Sequence, residues 1–274
     1  MKKEINQLIL DKVKIGEIVL FKKMEESLKK HIPTVLVKET HGRKGWVKFE
    51  SKLAGKKVQK EISDLMILCF NQKRKEIKLS FLQAKYHPHR INPFLRFQGD
   101  YLQLELLKDR PEIYSKTKFS FPTNILNFSV YKSLTTYGIF YHDKNQKIDF
   151  LYTIADYLNP LGPSLKGTIQ FPGCFTCPMS LCSRSSKKEM LATCNIDIFE
   201  KGLISYKIGA PIPPKSDIEN YIYSLLKMIE SNESIDLREF LSYFESTNHD
   251  LIKISKFHPN ILLVQSNDET IRDE

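Results

Sequence analysis

Asp64, Gln83 and Lys85 bring together a carboxylate, a carboxamide and an ammonium, the groups that chemistry at a phosphate needs. Eighteen residues separate Asp64 from Gln83, and one separates Gln83 from Lys85. Asp64 opens the apolar run Leu65 to Phe70, and a second apolar run ends at Phe81-Leu82-Gln83-Ala84-Lys85. Side chains alternate across a strand, so Gln83 and Lys85 share one face while Leu82 and Ala84 take the opposite, packed face. If the two runs pair as a hairpin, Asp64 reaches the same end of the sheet. A divalent ion held there would polarise a phosphate and acidify a bound water. Mg²⁺ keeps several waters, so one or two carboxylates suffice, and Mn²⁺ suits the same oxygens. The Lys85 ammonium would orient the attacking water or offset charge building on phosphorus. Each residue also has an ordinary reading. Asp64 can be a strand-start cap, and Lys85 a snorkelling strand-end lysine.

The elements that must position these groups are legible as patterns. Strands are predicted over 64–70 and 77–86, joined by the short polar linker Asn71 to Glu76. Gly16 to His31 reads as an amphipathic helix with Ile18, Phe21, Met24 and Leu28 on its stripe, stopped by Pro33. Thr34–Val37 and Trp46–Phe49 read as short strands with a turn over His41–Gly45 between them. Asp100 to Leu107 fits a strand by alternation and a helix by its leucine spacing with Gly99-Asp100 as a cap, and Pro111 is a stop either way. Tyr137–Tyr141, Phe150–Tyr152 and Ile261–Val264 are further strands. Residues 159–173 are rich in Pro and Gly and read as a loop or joint. Ser216 and Glu219 form a capping box that opens a helix to about Glu230, and Ser234 is a candidate cap for another through Phe244. The division expected is 1–158 as the core and 159–274 as a C-terminal α/β extension, with packing as one unit the alternative.

The chain carries a formal net charge of +10, which points to a polyanionic partner, most simply nucleic acid. Arg43, Lys44, Lys48, Lys52, Lys56, Lys57 and Lys60 crowd the segment before Asp64, and Lys73, Arg74, Lys75 and Lys78 fill the next loop. Arg43, Lys44 and Lys57 are the phosphate-contact candidates upstream. His87 and Arg90 are the candidates on the stretch that leaves the second strand, where His89 reads more simply as an exposed turn residue. No apolar run approaches the ~20 residues of a membrane span, and the start does not read as a signal peptide. A cytoplasmic protein with no membrane partner is expected.

The Asp64, Gln83 and Lys85 pattern on two adjacent strands resembles the PD-(D/E)XK nuclease superfamily, over roughly residues 16–141. Ser63 stands where the motif name has Pro, and Gln83 where the family usually has Asp or Glu. Beside Asp64, the Gln83 carboxamide still offers a metal one oxygen, and the Ala84 carbonyl another. Gln103 with Leu104, Leu107 and Pro111 is similar to the Gln-Leu helix that follows a Gln-Ala-Lys strand in some such proteins. The resemblance implies a restriction-endonuclease-like central mixed β-sheet flanked by helices. It also implies Mg²⁺-dependent cleavage of DNA and a role in prokaryotic defence, as a restriction enzyme or an anti-phage effector. A Glu on the preceding helix completes many sites of this kind. Glu17, Glu25 and Glu26 are the candidates, Glu25 the favoured one, with Glu39 and Glu50 as rivals.

Four of the five cysteines, Cys174, Cys177, Cys182 and Cys194, cluster. The Cys174-x2-Cys177 spacing suits a structural Zn²⁺, although the other spacings are irregular beside common zinc ribbons. Buried apolar cysteine is the simpler reading, and Cys69 belongs to core packing. Three rival functions stand beside the nuclease: a catalytically inactive nucleic-acid-binding module, a subunit that needs a partner protein or RNA before it cuts, and a zinc-containing regulatory protein; a homo-oligomer or a defence-system partner protein is the expected assembly. The apolar stripe Ile218, Tyr221, Leu225, Leu226 and Ile229 is either an interface or core.

Overall fold

A computed structural model describes residues 1–31, 35–38, 45–71, 73–90, 96–115, 121–171, 193–233, 237–244 and 260–266. The first two helices are α1 (Lys2–Leu10) and α2 (Glu17–His31). Five strands follow: β1 (Val35–Lys38), β2 (Trp46–Ser51), β3 (Lys56–Glu61), β4 (Leu65–Asn71) and β5 (Glu76–Arg90). Then come β6 (Arg96–Asp100), α3 (Tyr101–Asp109), β7 (Tyr114–Ser115), β8 (Thr135–His142) and β9 (Ile148–Ile154). The remaining elements are β10 (Asn159–Pro160), β11 (Lys166–Gln170), β12 (Thr193–Asn195), α4 (Ile196–Ile204), β13 (Ala210–Pro211), α5 (Asp217–Glu233), α6 (Arg238–Leu241) and β14 (Asn260–Ser266).

Among the described residues the main sheet has the order β1-β14-β4-β5-β8-β9-β12, with β13 added along β5. It is mixed: β4 and β5 pair antiparallel, while β14 runs parallel to β4 and β8 parallel to β5. The fold is therefore mixed α/β, a central mixed sheet flanked by helices. All seven residues of β4 are buried, because both faces of the sheet are covered. Met66, Leu68, Phe70 and Phe81 meet Ile222, Leu225, Leu226 and Ile229 of α5 on one face. Leu65, Ile67, Leu82 and Ala84 meet Leu20, Phe21, Met24 and Leu28 of α2 on the other. The stripe of α5 is thus core and not an exposed interface. Residues on both sides of position 158 share these cores, and β14 lies between β1 and β4.

Two expectations about local pairing are corrected. The strands expected at Thr34–Val37 and Trp46–Phe49 do not pair with each other: β1 pairs with β14, and β2 pairs with β3 and β7 in a separate small sheet. The reason is patterning. β2 alternates exposed and buried residues, which suits a sheet with one wet face, whereas β1 is an apolar run that suits a sheet covered on both faces. Residues 41–44, where a turn was expected, lie outside the described residues. The proline- and glycine-rich stretch after 158 is not merely a joint, since β11 pairs with β6.

The ambiguous segment after Gly99 is helical. The Asp100 side chain accepts the Leu102 and Gln103 N–H groups as an N-cap, and Arg110 takes a left-handed conformation where α3 ends. At α5, Glu219 N–H donates to Ser216 Oγ at 3.2 Å, and the Glu219 carboxylate accepts from Lys215 N–H. Ser234 lies outside the described residues. Gly138, beside Ala84 in the β5–β8 register, has no room for a methyl group, since a Cβ there would sit 2.4 Å from the Phe150 ring. That ring is held against Phe140 and Phe199, so Gly138→Ala would overpack the core next to the site.

Candidate active site

The β4–β5 hairpin register pairs Leu65 with Leu82 and Met66 with Phe81, which brings Asp64 alongside Gln83. The Asp64 N–H donates to the Leu82 carbonyl at 3.1 Å, so the ladder extends to the site. Asp64 Oδ2 accepts the Ala84 N–H at 2.7 Å and also a hydrogen bond from Gln83 Nε2. Gln83 is only 4% exposed, and its Oε1 is a buried atom with no hydrogen-bond partner. The carboxylate dictates that orientation. Turning the amide over would set two acceptor oxygens against each other, so the nitrogen faces Asp64 and the oxygen faces away.

Lys85, one turn of the pleat beyond Gln83, forms an ion pair with Glu17 at 3.3 Å. Glu17 stands in the first turn of α2, where the helix dipole favours a carboxylate. It is the α2 glutamate seen on Lys85. Glu25, the favoured candidate from sequence, lies about 12 Å further along the helix axis and is itself buried. Glu26 pairs with Lys23 and is exposed, and Glu50 pairs with Lys57 on the small sheet. Glu39 lies outside the described residues.

Further groups gather that sequence reasoning did not assign to the site. Tyr137 of β8 is opposite Gln83 in the parallel register and fully buried. Burial, and then the nearby Asp100 and Asp64 carboxylates, hold its phenol well above the usual tyrosine range, so it stays protonated. Asp100 also pairs with Lys60 at 2.5 Å. Gln103 Nε2 donates to the Glu61 carbonyl at 2.7 Å, which ties α3 to the chain three residues before Asp64. Asp100 was legible as a helix cap. Its approach to Tyr137 was not, because that requires β6 and α3 to fold back towards β8.

The basic residues divide differently from their order in sequence. Lys73, Arg74 and Lys75 occupy the turn of the β4–β5 hairpin, at the opposite end from Asp64. Seven residue steps along the strand, about 23 Å, separate Glu76 from Gln83. Lys78 is not in the loop at all. It is a buried β5 residue that donates to the Tyr206 carbonyl at 2.5 Å and lies 4.2 Å over the Tyr206 ring. The expected concentration of charge around one site therefore fails for this turn, which leaves the lysines of β2 and β3 and the segment between them. Even there, Lys52 pairs with Asp109 and Lys57 with Glu50. His87 lies on β5 beside Tyr141 of β8, and the backbone of Arg90 ends that strand after a register shift. Arg43, Lys44 and the side chains of His89 and Arg90 lie outside the described residues.

Among the described residues no group of three or more His, Cys, Asp or Glu side chains could hold a metal ion. Cys174, Cys177 and Cys182 lie outside them. Cys194 is a buried cysteine on β12, and Cys69 is free in the centre of β4 with its thiol pushed up by burial to about 12. No helix among the described residues is long and apolar enough to cross a membrane. No protein-family model matches this chain, and no curated protein or solved structure matches it. The likeness to the nuclease superfamily rests on the Asp64, Gln83 and Lys85 arrangement itself.

Proposed function

We propose that the chain is a metal-dependent nuclease of the restriction-endonuclease-like fold that hydrolyses phosphodiester bonds in DNA, with Asp64, Gln83 and Lys85 at its centre. The observation that carries this reading is the buried Gln83 carboxamide. Asp64 fixes its nitrogen, its oxygen has no hydrogen-bond partner, and Lys85 stands on the same face of the strand. A buried acceptor without a donor is costly, and a bound cation would satisfy it. The donor types suit Mg²⁺ or Mn²⁺: the Asp64 carboxylate, the Ala84 carbonyl, and the Gln83 carboxamide oxygen once the amide turns it towards Asp64.

Such an ion, when bound, supplies a Lewis acid for the phosphate and lowers the pKa of water. The protein's part is to orient and to balance charge. Asp64 is held in place by the Ala84 N–H, and Gln83 by Asp64. Lys85 is aimed by Glu17, and once a phosphate enters, its ammonium is the charge that offsets the build-up on phosphorus. Glu17 replaces Glu25 as the α2 carboxylate of this proposal. A defence role, as a restriction enzyme or an anti-phage effector, follows by analogy with the fold.

A specific observation favours a second reading. Asp64, Gln83 and Ala84 are bonded to one another, and Lys85 to Glu17, a closed arrangement that suits an inactive or partner-gated nucleic-acid-binding subunit. Cleavage of supercoiled plasmid and of single-stranded DNA by purified protein, in Mg²⁺, Mn²⁺ or EDTA, decides between them. The nuclease reading expects metal-dependent cutting that Asp64→Ala abolishes. Cutting by Asp64→Ala at the wild-type rate would overturn the site. Absence of cutting in every metal, with Asp64-dependent Mn²⁺ binding retained in calorimetry, would favour the gated subunit.

A further inference from the structure

The small sheet β3-β2-β7 has one packed and one wet face. Val47 and Phe49 of β2 are fully buried. Trp46, Lys48 and Glu50 alternate with them and are exposed. The register sets Lys48 between Gln59 of β3 and Tyr114 of β7, so the outer face also carries Lys57 and Tyr114. Trp46 is 41% exposed and Tyr114 42%, large aromatic surfaces lying diagonally across neighbouring strands, about 7–8 Å apart at the backbone. The Lys57 ammonium lies 5.2 Å over the Tyr114 ring.

We propose that this face is a stacking platform for single-stranded nucleic acid, leading towards Asp64. Exposed rings flanked by ammonium groups suit bases that stack on aromatic side chains while phosphates meet lysine. In a duplex the bases are already stacked inward, so rings on a flat sheet cannot reach their faces. On this face Lys48 and Lys57 stand with Glu50 and Glu61; Lys57 engages Glu50 at 3.4 Å, so Lys48, between the two rings, is the ammonium that meets the phosphate. The path leads towards Asp64. Trp46 pairs with Glu61 at the end of β3, and Ile62 N–H donates to the Gly45 carbonyl at 2.8 Å. Asp64 follows two residues later. The destination of the strand rests on the nuclease reading of Asp64; the platform itself does not.

Trp46 is the one tryptophan of the chain, so its fluorescence reports this face alone. The experiment titrates the full chain in EDTA with a short oligo(dT), a blunt duplex, and heparin as a polyanion without bases. Saturable quenching by oligo(dT), with little change from heparin or duplex, is expected. Tyr114→Ala should weaken oligo(dT) binding roughly ten-fold, with Tyr114→Phe restoring it. Lys48→Gln should lower the salt-dependence slope by about 0.7. Trp46→Phe, followed by anisotropy of a labelled oligonucleotide, should keep most of the binding. Equal quenching by heparin, tighter duplex binding, or unchanged affinity in folded Tyr114→Ala would overturn the proposal. Asp64→Ala separates the two readings. Quenching kept in a wild-type protein that never cuts leaves the platform and removes the nuclease. Cutting without quenching does the reverse.

Discussion

The two ends of the β4–β5 hairpin use lysine in opposite ways. At one end Lys85 is a quarter exposed, faces a carboxylate on α2, and sits two residues from a buried carboxamide with an unsatisfied oxygen. At the other end Lys78 is buried and spends its donors on the Tyr206 carbonyl and ring. Beyond it Lys75 lies 5.2 Å over Tyr243, beside a cleft of about 400 Å³ lined by Ile77, Tyr131, Pro211 and Tyr243. Both ends are basic in sequence, yet Lys85 is held by a carboxylate beside a buried carboxamide, whereas Lys78 is held by a backbone carbonyl and a ring. Local charge density is therefore a poor guide to a site. What the charges are paired with is a better one.

The comparison breaks most sharply at Asp64. Asp64→Ala should lower metal-dependent cleavage by about a hundred-fold or more, read as the rate of plasmid conversion. Lys85→Met should lower cleavage by a similar order, while the melting temperature changes little, because a partly exposed ion pair contributes only about 0–1 kcal/mol. Lys78→Met should show the opposite pattern. It leaves the Tyr206 carbonyl without its donor and costs about 1–3 kcal/mol in denaturant unfolding, yet keeps cleavage per folded molecule. Equal loss of activity from Lys78→Met and Lys85→Met, with both proteins folded, would erase the distinction between the ends. Gly138→Ala, beside Ala84, should destabilise by about 1–3 kcal/mol through its clash with Phe150.

The smallest effect concerns how α2, which carries Glu17 to Lys85, is held at its far end. His31 lies between Glu4 at 2.9 Å and Glu200 at 2.8 Å. Burial alone would raise the Glu4 carboxyl, but backbone hydrogen bonding, the Met1 amino group and His31 bring it down to about 2. A carboxyl lowered on folding stabilises the folded state above its unfolded value of 4.5, and that contribution fades as pH falls towards about 2. Thermal melts of Glu4→Gln and wild type should differ modestly at neutral pH and converge near pH 2. A gap that persists in acid would show that Glu4 acts through packing.

Much of the site's frame is legible along the chain, because it is local. Asp64, the turn and Gln83 belong to one hairpin, whose register follows from alternation and a short linker. The Asp100 cap and the Ser216 with Glu219 box are equally local. The contact of Glu17 with Lys85 was not legible, since three glutamates on one helix differ only in how that helix docks. Nor was the approach of Asp100 to Tyr137.

What the sequence by itself determined is the strand and helix periodicity, the pairing of Asp64 with Gln83, and the common face of Gln83 and Lys85. These follow from side-chain alternation and short connections. Only the tertiary structure decided that β14 lies between β1 and β4, that β2 joins β3 and β7, and that Lys78 is buried while Lys85 meets Glu17. Those outcomes depend on which apolar faces find each other across long separations in the chain. Local alternation sets which strand keeps a wet face, as in β2, but not which partner it finds.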